Sequence, residues 1–168
     1  MVTVRPAGAG DVAALSAALA QVFASDTVVS WLLPQRTRRT ARRKQMFRLE
    51  LQTYVLPQDG LVFTADAGHD GLADAGHDGL ADAGHDGLAG ACVALPPDQW
   101  QMPKAMDGRT AARWLWALGT RLPRSIRAQR AAEEHHPTEP HYYIRWIGVR
   151  SGLRGQGIGS ALMRPILD

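Results

Sequence analysis

The sequence has little of several features that would indicate particular classes of protein. Among its 168 residues there is one cysteine, Cys92, so an internal disulfide is excluded and a reducing, cytoplasmic setting is expected. There is no run of about 18 apolar residues, so no membrane-spanning helix is expected. Residues 1–6 lack a basic stretch followed by an apolar one, so we predict no signal peptide.

The net charge of +3 conceals an uneven distribution of charged residues. Residues 65–88 contain the sequence ADAGHDGL three times, with six aspartates, three histidines and no basic residue. The rest of the chain carries 19 positive and 10 negative charges. We therefore predict one basic domain over residues 1–168, with an acidic repeat inserted at residues 65–88 in the turn of a hairpin.

Apolar spacing predicts an alternation of strands and helices along the chain. A helix should follow the N-cap residue Asp11, and another should begin near Gly157. We expect residues 25–34 to form a connector. The predicted strands are residues 2–5, 61–65, 89–95 and 142–149. Further helices are predicted at residues 35–55, 105–120 and 123–134.

The most informative segment is residues 142–168, YYIRWIGVRSGLRGQGIGSALMRPILD. In it a strand leads into a loop with Gly155, Gly157 and Gly159, and then into a helix. Glycines allow a ligand to approach the backbone closely, and the first N–H groups of a helix bind anions. Arg154 adds a positive charge. The pattern predicts a pyrophosphate cradle, and the alternative is a tight strand-to-helix turn without a ligand.

The residues 154–159, RGQGIG, resemble the R/Q-x-x-G-x-G/A acetyl-CoA signature of the GNAT N-acetyltransferase superfamily. The strand that ends at Gly148 and Val149 and the small residues 160–162 match its context. The order of elements is similar to the first two-thirds of that fold. Residues 136–140 (HPTEP) and 163–165 (MRP) look closest to the puromycin N-acetyltransferase-like branch.

This resemblance implies an α/β fold with a mixed, mostly antiparallel sheet flanked by helices. It implies acetyl-CoA as co-substrate and a small-molecule amine as acceptor. It further implies that backbone groups of Ile147 and Val149 pair with the pantetheine arm, and that the Val149 amide stabilises the oxyanion. The implied cofactor-binding residues are Ile147, Gly148, Val149, Arg154, Gly155, Gln156, Gly157, Ile158, Gly159 and Ser160.

The catalytic residues remain open at this stage. Direct attack of an amine on the thioester needs a base, and family members that take a carboxylate from this strand have it near the strand's beginning. This sequence has Tyr142, Tyr143 and Arg145 there, and the nearest carboxylate is Glu139.

In the family a further strand and helix follow the glycine loop, whereas this sequence ends at Asp168. We therefore expect a truncated acetyltransferase with impaired or absent catalysis. A non-catalytic CoA-binding module is the alternative, and the strand edge left open could pair two copies in a homodimer.

The repeat and the arginine-rich region each allow two interpretations. His69, His77 and His85 recur beside aspartates, which is compatible with metal binding, but we expect a solvated loop and no metal site. Residues 36–48 are rich in arginine, and we favour a solvated helix face over nucleic-acid binding. A further option is that these residues attract anionic CoA or line the acceptor side.

We expect three large apolar side chains, Trp114, Trp116 and Leu118, to pack in the core. Cys92 is expected to be a small core residue rather than a nucleophile. Trp31 is a candidate for contact with the acceptor, by its position in the family.

Overall fold

The computed structural model describes residues 2–33, 38–67, 87–102 and 106–168. Most of the ADAGHDGL repeat, residues 68–86, lies outside this part of the chain, as does Arg36. The predictions made for the repeat therefore stay predictions.

In the described part of the chain, the sheet has four strands in the order β1 (Val2–Pro6), β2 (Leu61–Ala67), β3 (Leu88–Leu95) and β4 (Tyr143–Val149). Each neighbouring pair is antiparallel. All four predicted strands are confirmed within two residues at either end. With helices on both faces of this sheet, the mixed α/β fold class that the resemblance implied is also confirmed.

Within the described residues, six α-helices flank the sheet: α1 (Val12–Val22), α2 (Thr27–Leu32), α3 (Arg39–Glu50), α4 (Gly108–Leu118), α5 (Leu122–Glu134) and α6 (Ile158–Leu167). A π-helical turn, Leu51–Val55, continues α3, and 3-10 turns lie at Ala9–Asp11, Leu56–Gln58, Gly119–Arg121 and Ser151–Leu153. The expectation of a mere connector at 25–34 was wrong, because α2 lies there. The Asp26 carboxylate caps α2 by accepting a 2.8 Å hydrogen bond from the Val29 amide.

The larger part of the core lies between the sheet and the helices α1, α3 and α4. Three aromatic rings meet in this part of the molecule, the buried Phe47 and the partly buried Phe23 and Trp146, with centroids 5.2 to 5.6 Å apart. Two of the three pairs meet edge to face, an arrangement that adds about 0.5–1.5 kcal/mol per pair beyond burial. The trio fixes the distance between α1, α3 and β4.

The opposite face of the sheet is covered by α6 and the turn before it. Leu153, Ile158 and Leu162 are buried there against β2 and β3. Cys92 belongs to this cluster, and burial raises the pKa of its thiol to about 11. The expectation of a small core residue is therefore confirmed.

Two predictions about side-chain burial are each wrong at one residue. They are the prediction of a solvated arginine face and the prediction that the tryptophans pack in the core. Arg43 is buried in α3 and donates hydrogen bonds to the carbonyl oxygens of Ala20 (2.9 Å) and Ala24 (3.2 Å) at the end of α1. The last carbonyl groups of a helix have no donor within the helix, and the buried Arg43 side chain supplies donors at this end of α1. Trp114 and Leu118 are core residues, as predicted, but Trp116 is exposed.

No helix among the residues that the structure describes is long and apolar enough to cross a membrane.

Candidate active site

The outer edge of β4 presents alternate backbone groups that β3 does not use. The Arg150 amide donates to the Ala89 carbonyl at 2.9 Å, and Val149 lies opposite Gly90 in the ladder. In an antiparallel pair, hydrogen-bonded and non-hydrogen-bonded positions alternate. The N–H and C=O groups of Val149 and Ile147 therefore point away from β3, toward an edge that is unpaired in the described sheet.

The loop after β4 has the conformation that its glycines permit. Gly155 and Gly157 have φ angles of +79° and +76°, in the left-handed region that other residues rarely adopt. Gly157 is the N-cap of α6, and among the described residues no side chain caps this helix. The amide groups of residues 157–160 have no partner within the helix, as at any helix N-terminus.

Apolar side chains on either side of the loop hold its backbone at the surface. Leu153 before it and Ile158 within it are buried on the sheet, together with Leu162 one turn further on. Residues 154–157 between these anchors are exposed. The sequence thus forces a strip of backbone into solvent at the positive end of a helix dipole.

One arginine of this strip contacts the end of β4, and a second follows β4 directly in the sequence. The exposed Arg154 donates from Nε to the Val149 carbonyl at 3.3 Å, which links the loop to the β4 edge. Arg150 stands at the end of β4. Exposed amides, left-handed glycines and fixed positive charge together suit a phosphate or pyrophosphate. The residues that the resemblance marked for cofactor binding are therefore contiguous in space, from Ile147 to Ser160.

A cavity of about 230 Å³ lies at the other half of β4, between the strand and helices α2 to α5. Most of its lining is apolar, with a polar end formed by Glu50, Gln129 and Arg145. The lining residues are Val28, Leu32, Met46, Glu50, Trp114, Leu118, Ser125, Ala128, Gln129, Ala132, Tyr143, Arg145 and Trp146.

A buried ion pair closes the polar end of the cavity. Arg145 donates from Nε and Nη2 to the two carboxylate oxygens of Glu50, at 2.9 and 2.8 Å, and the Trp146 indole donates to the same carboxylate at 3.1 Å. Burial raises the pKa of Glu50, but the Arg145 charge and these hydrogen bonds outweigh it and hold the pKa below its usual value. Burial likewise lowers the pKa of Arg145, and Glu50 more than reverses that shift.

A bulge in β4 aims Arg145 at this carboxylate. In the ladder Val93 lies opposite Trp146 and Ala94 opposite Ile144, so Arg145 is an extra residue without a partner on β3. Bulges of this kind redirect a side chain.

Sequence reasoning missed Glu50, which belongs to this site. A signal was present, because Glu50 is a single acid in the apolar run LELQTYV and Arg145 is a single base in YYIRWIGV. Glu139, the nearest carboxylate in sequence to β4, is exposed and does not line the cavity. Trp31 does not line it either, but it lies under the Arg124 guanidinium, 4.6 Å from the ring centroid.

Comparison with known proteins agrees with this geometry. Residues 87–168 match the model of the acetyltransferase (GNAT) family, and no curated protein matches the chain. The fold is similar to a crystal structure described as histone acetyltransferase HPA2 and related acetyltransferase from Corynebacterium glutamicum ATCC 13032. The TM-score is 0.66 at 22% identity, over 98% of this chain and 68% of that one. The chain thus has the GNAT fold, and residues 87–168, just under half of it, are similar in sequence to the GNAT acetyltransferase family.

Proposed function

We propose that this protein transfers an acetyl group from acetyl-CoA to the nitrogen of a small-molecule amine. The observation that carries the proposal is the glycine loop at the N-terminus of α6, which adjoins the outward-facing backbone of β4. The family match over the same residues supports it.

Each part of this region has a separate role in the proposal. The amides of residues 155–160 and the side chain of Arg154 bind the pyrophosphate. The outward groups of Ile147 and the outward carbonyl of Val149 pair with the amides of the pantetheine arm, as an added strand would. Gly148 lies between them and lets β4 pack closely on α1, because a Cβ there would overlap Val22.

Acetyl-CoA supplies a thioester carbonyl that is activated toward amines. The Val149 amide, which points outward from β4, is the donor that we assign to the developing oxyanion. Glu50 is not assigned as the base, because both of its oxygens already accept hydrogen bonds in an ion pair. The nucleophile is then the fraction of the amine that is unprotonated in solution. Its nitrogen forms a bond to the carbonyl carbon, the C–S bond breaks, and CoA leaves as a thiolate, while the proton that the nitrogen loses passes through solvent to the thiolate. The likeness of residues 136–140 and 163–165 to the puromycin N-acetyltransferase-like branch remains a hypothesis about the acceptor.

The test is a pair of substitutions at one position of the loop. Gly157→Asp places a negative charge in the proposed pyrophosphate cradle, and Gly157→Asn has the same shape without the charge. Both residue types tolerate the left-handed region better than most. We expect CoA to raise the Tm of the wild-type chain and of the Asn variant, and to leave the Tm of the Asp variant unchanged. An equal rise in all three would contradict binding at this loop.

Turnover decides between the enzyme and the second candidate, a non-catalytic CoA-binding module. Release of free CoA from acetyl-CoA, measured with a thiol reagent in the presence of a panel of amines, supports the transferase. A rise in Tm with CoA and no release with any amine supports the binding module.

A further inference from the structure

Resting on the proposed function, we propose that the 230 Å³ cavity binds the acceptor, and that the acceptor is a primary amine with one compact apolar group. A single aromatic ring or a branched alkyl group fits this description. The cavity contains the apolar group, while the amine extends toward the outer part of β4.

The position of the cavity along β4 supports this assignment. Tyr143, Arg145 and Trp146 line the cavity, and the same strand continues directly into Ile147 and Val149. At about 3.3 Å per residue, Trp146 and Val149 are about 10 Å apart along the strand. One short, rigid element therefore carries residues of both sites and holds two bound molecules in a fixed orientation to each other.

The size and lining of the cavity select the apolar group. An apolar cavity of about 150 Å³ accommodates benzene, and pockets for drug-sized ligands begin at about 300 Å³. A volume of 230 Å³ lies between the two and suits a group slightly larger than one ring. Eight of the thirteen lining residues are apolar, and the largest of them are Val28, Leu32, Met46, Trp114, Leu118 and Trp146.

The charges of the cavity argue against acceptors with several amines. Among the residues that line it, Glu50 and Arg145 are the only charged ones, and they are paired with each other. Arg145 also donates from Nη1 to the Gln129 side-chain oxygen at 3.3 Å, and the Gln129 amide nitrogen donates to Glu133 at 3.1 Å. No carboxylate of the lining is left over for a second ammonium group. A polyamine would bury an uncompensated charge there.

In this hydrogen-bond network Glu50 acts as a positioning residue. It fixes the side chain of Arg145 and the indole of Trp146, which form the end wall of the cavity. The shape of this wall then sets which groups enter.

The experiment compares two amines as ligands of the 168-residue chain. Binding of 2-phenylethylamine and of spermidine is followed by the fluorescence of the tryptophans, two of which line the cavity. We expect 2-phenylethylamine to bind at least tenfold more tightly than spermidine. Equal or tighter binding of spermidine would overturn the inference.

Two substitutions on α5 locate the binding. Ala128→Leu fills the cavity, and Ala131→Leu adds the same side chain at an exposed position of the same helix. We expect the Kd for 2-phenylethylamine to rise at least tenfold in the first variant and to stay within twofold in the second. A Kd that is unchanged in Ala128→Leu refutes the assignment of the cavity.

The effect of CoA on the Tm separates the two proposals. In both leucine variants CoA should still raise the Tm, because the glycine loop is not altered. If CoA does not change the Tm of the wild type or of either variant while the amine still binds in the cavity, the proposed function is wrong. The inference about the selectivity of the cavity then still holds.

Discussion

Glu50→Gln should strongly destabilise the fold, because it leaves a guanidinium buried without its counter-charge. The side chains of Glu50 and Arg145 are only 7% and 14% exposed. Removing one partner of a buried ion pair costs about 3–5 kcal/mol. Gln keeps one acceptor oxygen for Arg145, so we expect the lower end of this range, about 3 kcal/mol. That is a large part of the roughly 5–15 kcal/mol by which a domain of this size is stable.

Urea unfolding followed by circular dichroism measures this loss. A decrease in the midpoint at constant m-value reports stability alone. Arg5→Gln is the matched control, since Arg5 forms exposed ion pairs with Asp11 and Asp66. Exposed pairs contribute about 0–1 kcal/mol, so this variant should unfold close to wild type.

The double variant Glu50→Leu/Arg145→Leu provides the decisive comparison. Replacement of both partners of a buried pair by apolar residues is often neutral or stabilising. The double variant should therefore be more stable than Glu50→Gln, and it should fold even if the single variant does not. A loss below about 1 kcal/mol in Glu50→Gln would refute the account of a desolvated, mutually dependent pair.

The pH dependence has a definite sign. The pKa of Glu50 is lower in the folded chain than its ordinary value, so the folded state favours the carboxylate. Its contribution to stability is complete above the unfolded pKa of about 4.3 and is lost as the pH falls toward the folded pKa. The difference between wild type and Glu50→Gln should accordingly shrink only in acid below about pH 4.

Three further predictions concern single residues. Gly148→Val should lower the free energy of unfolding in urea by about 1–3 kcal/mol, because the new side chain would overlap Val22 between β4 and α1. Gly157→Ala should cost about 1–2 kcal/mol in the same assay, because its φ of +76° is strained for a residue with a Cβ. His136 stacks on Trp100, and burial lowers its pKa, so folding favours the neutral ring. The Tm should fall as the pH drops below about 6.5, and His136→Phe should reduce that fall.

The strands and long helices were predictable because one-sided burial leaves a periodic trace in the sequence. In α1 the apolar residues Leu15 and Leu19 recur at helical spacing and are buried, as their spacing indicates. The six-residue helix α2 was missed because it is too short for such a period and contains two adjacent valines, which favour strands. Its only local signal was Asp26, which caps it.

The two halves of the candidate site differ in how far local sequence determines them. The glycine loop is a contiguous motif, so its residues could be named from the sequence. The cavity depends on a pair, Glu50 and Arg145, that are 95 residues apart and meet only through tertiary packing. The same holds for Arg43, whose carbonyl partners lie in the last turn of α1 and just after it. A charged residue in an apolar run signals that a partner is needed without indicating which.

The bulge at Arg145 explains how one strand can serve both halves of the site. Without an extra residue, Tyr143 and Trp146 would point to opposite faces of the sheet, since side chains alternate along a strand. With the bulge both pack on the side of α1 and α3, where the cavity lies, while Ile144 and Val149 pack on the side of α6. The inserted residue is also the one that reaches Glu50. The one-residue bulge at Arg145 thus places the side chains that form the wall of the cavity. After the bulge the regular pairing of β4 with β3 resumes. The outward backbone groups of the following residues then continue toward the glycine loop.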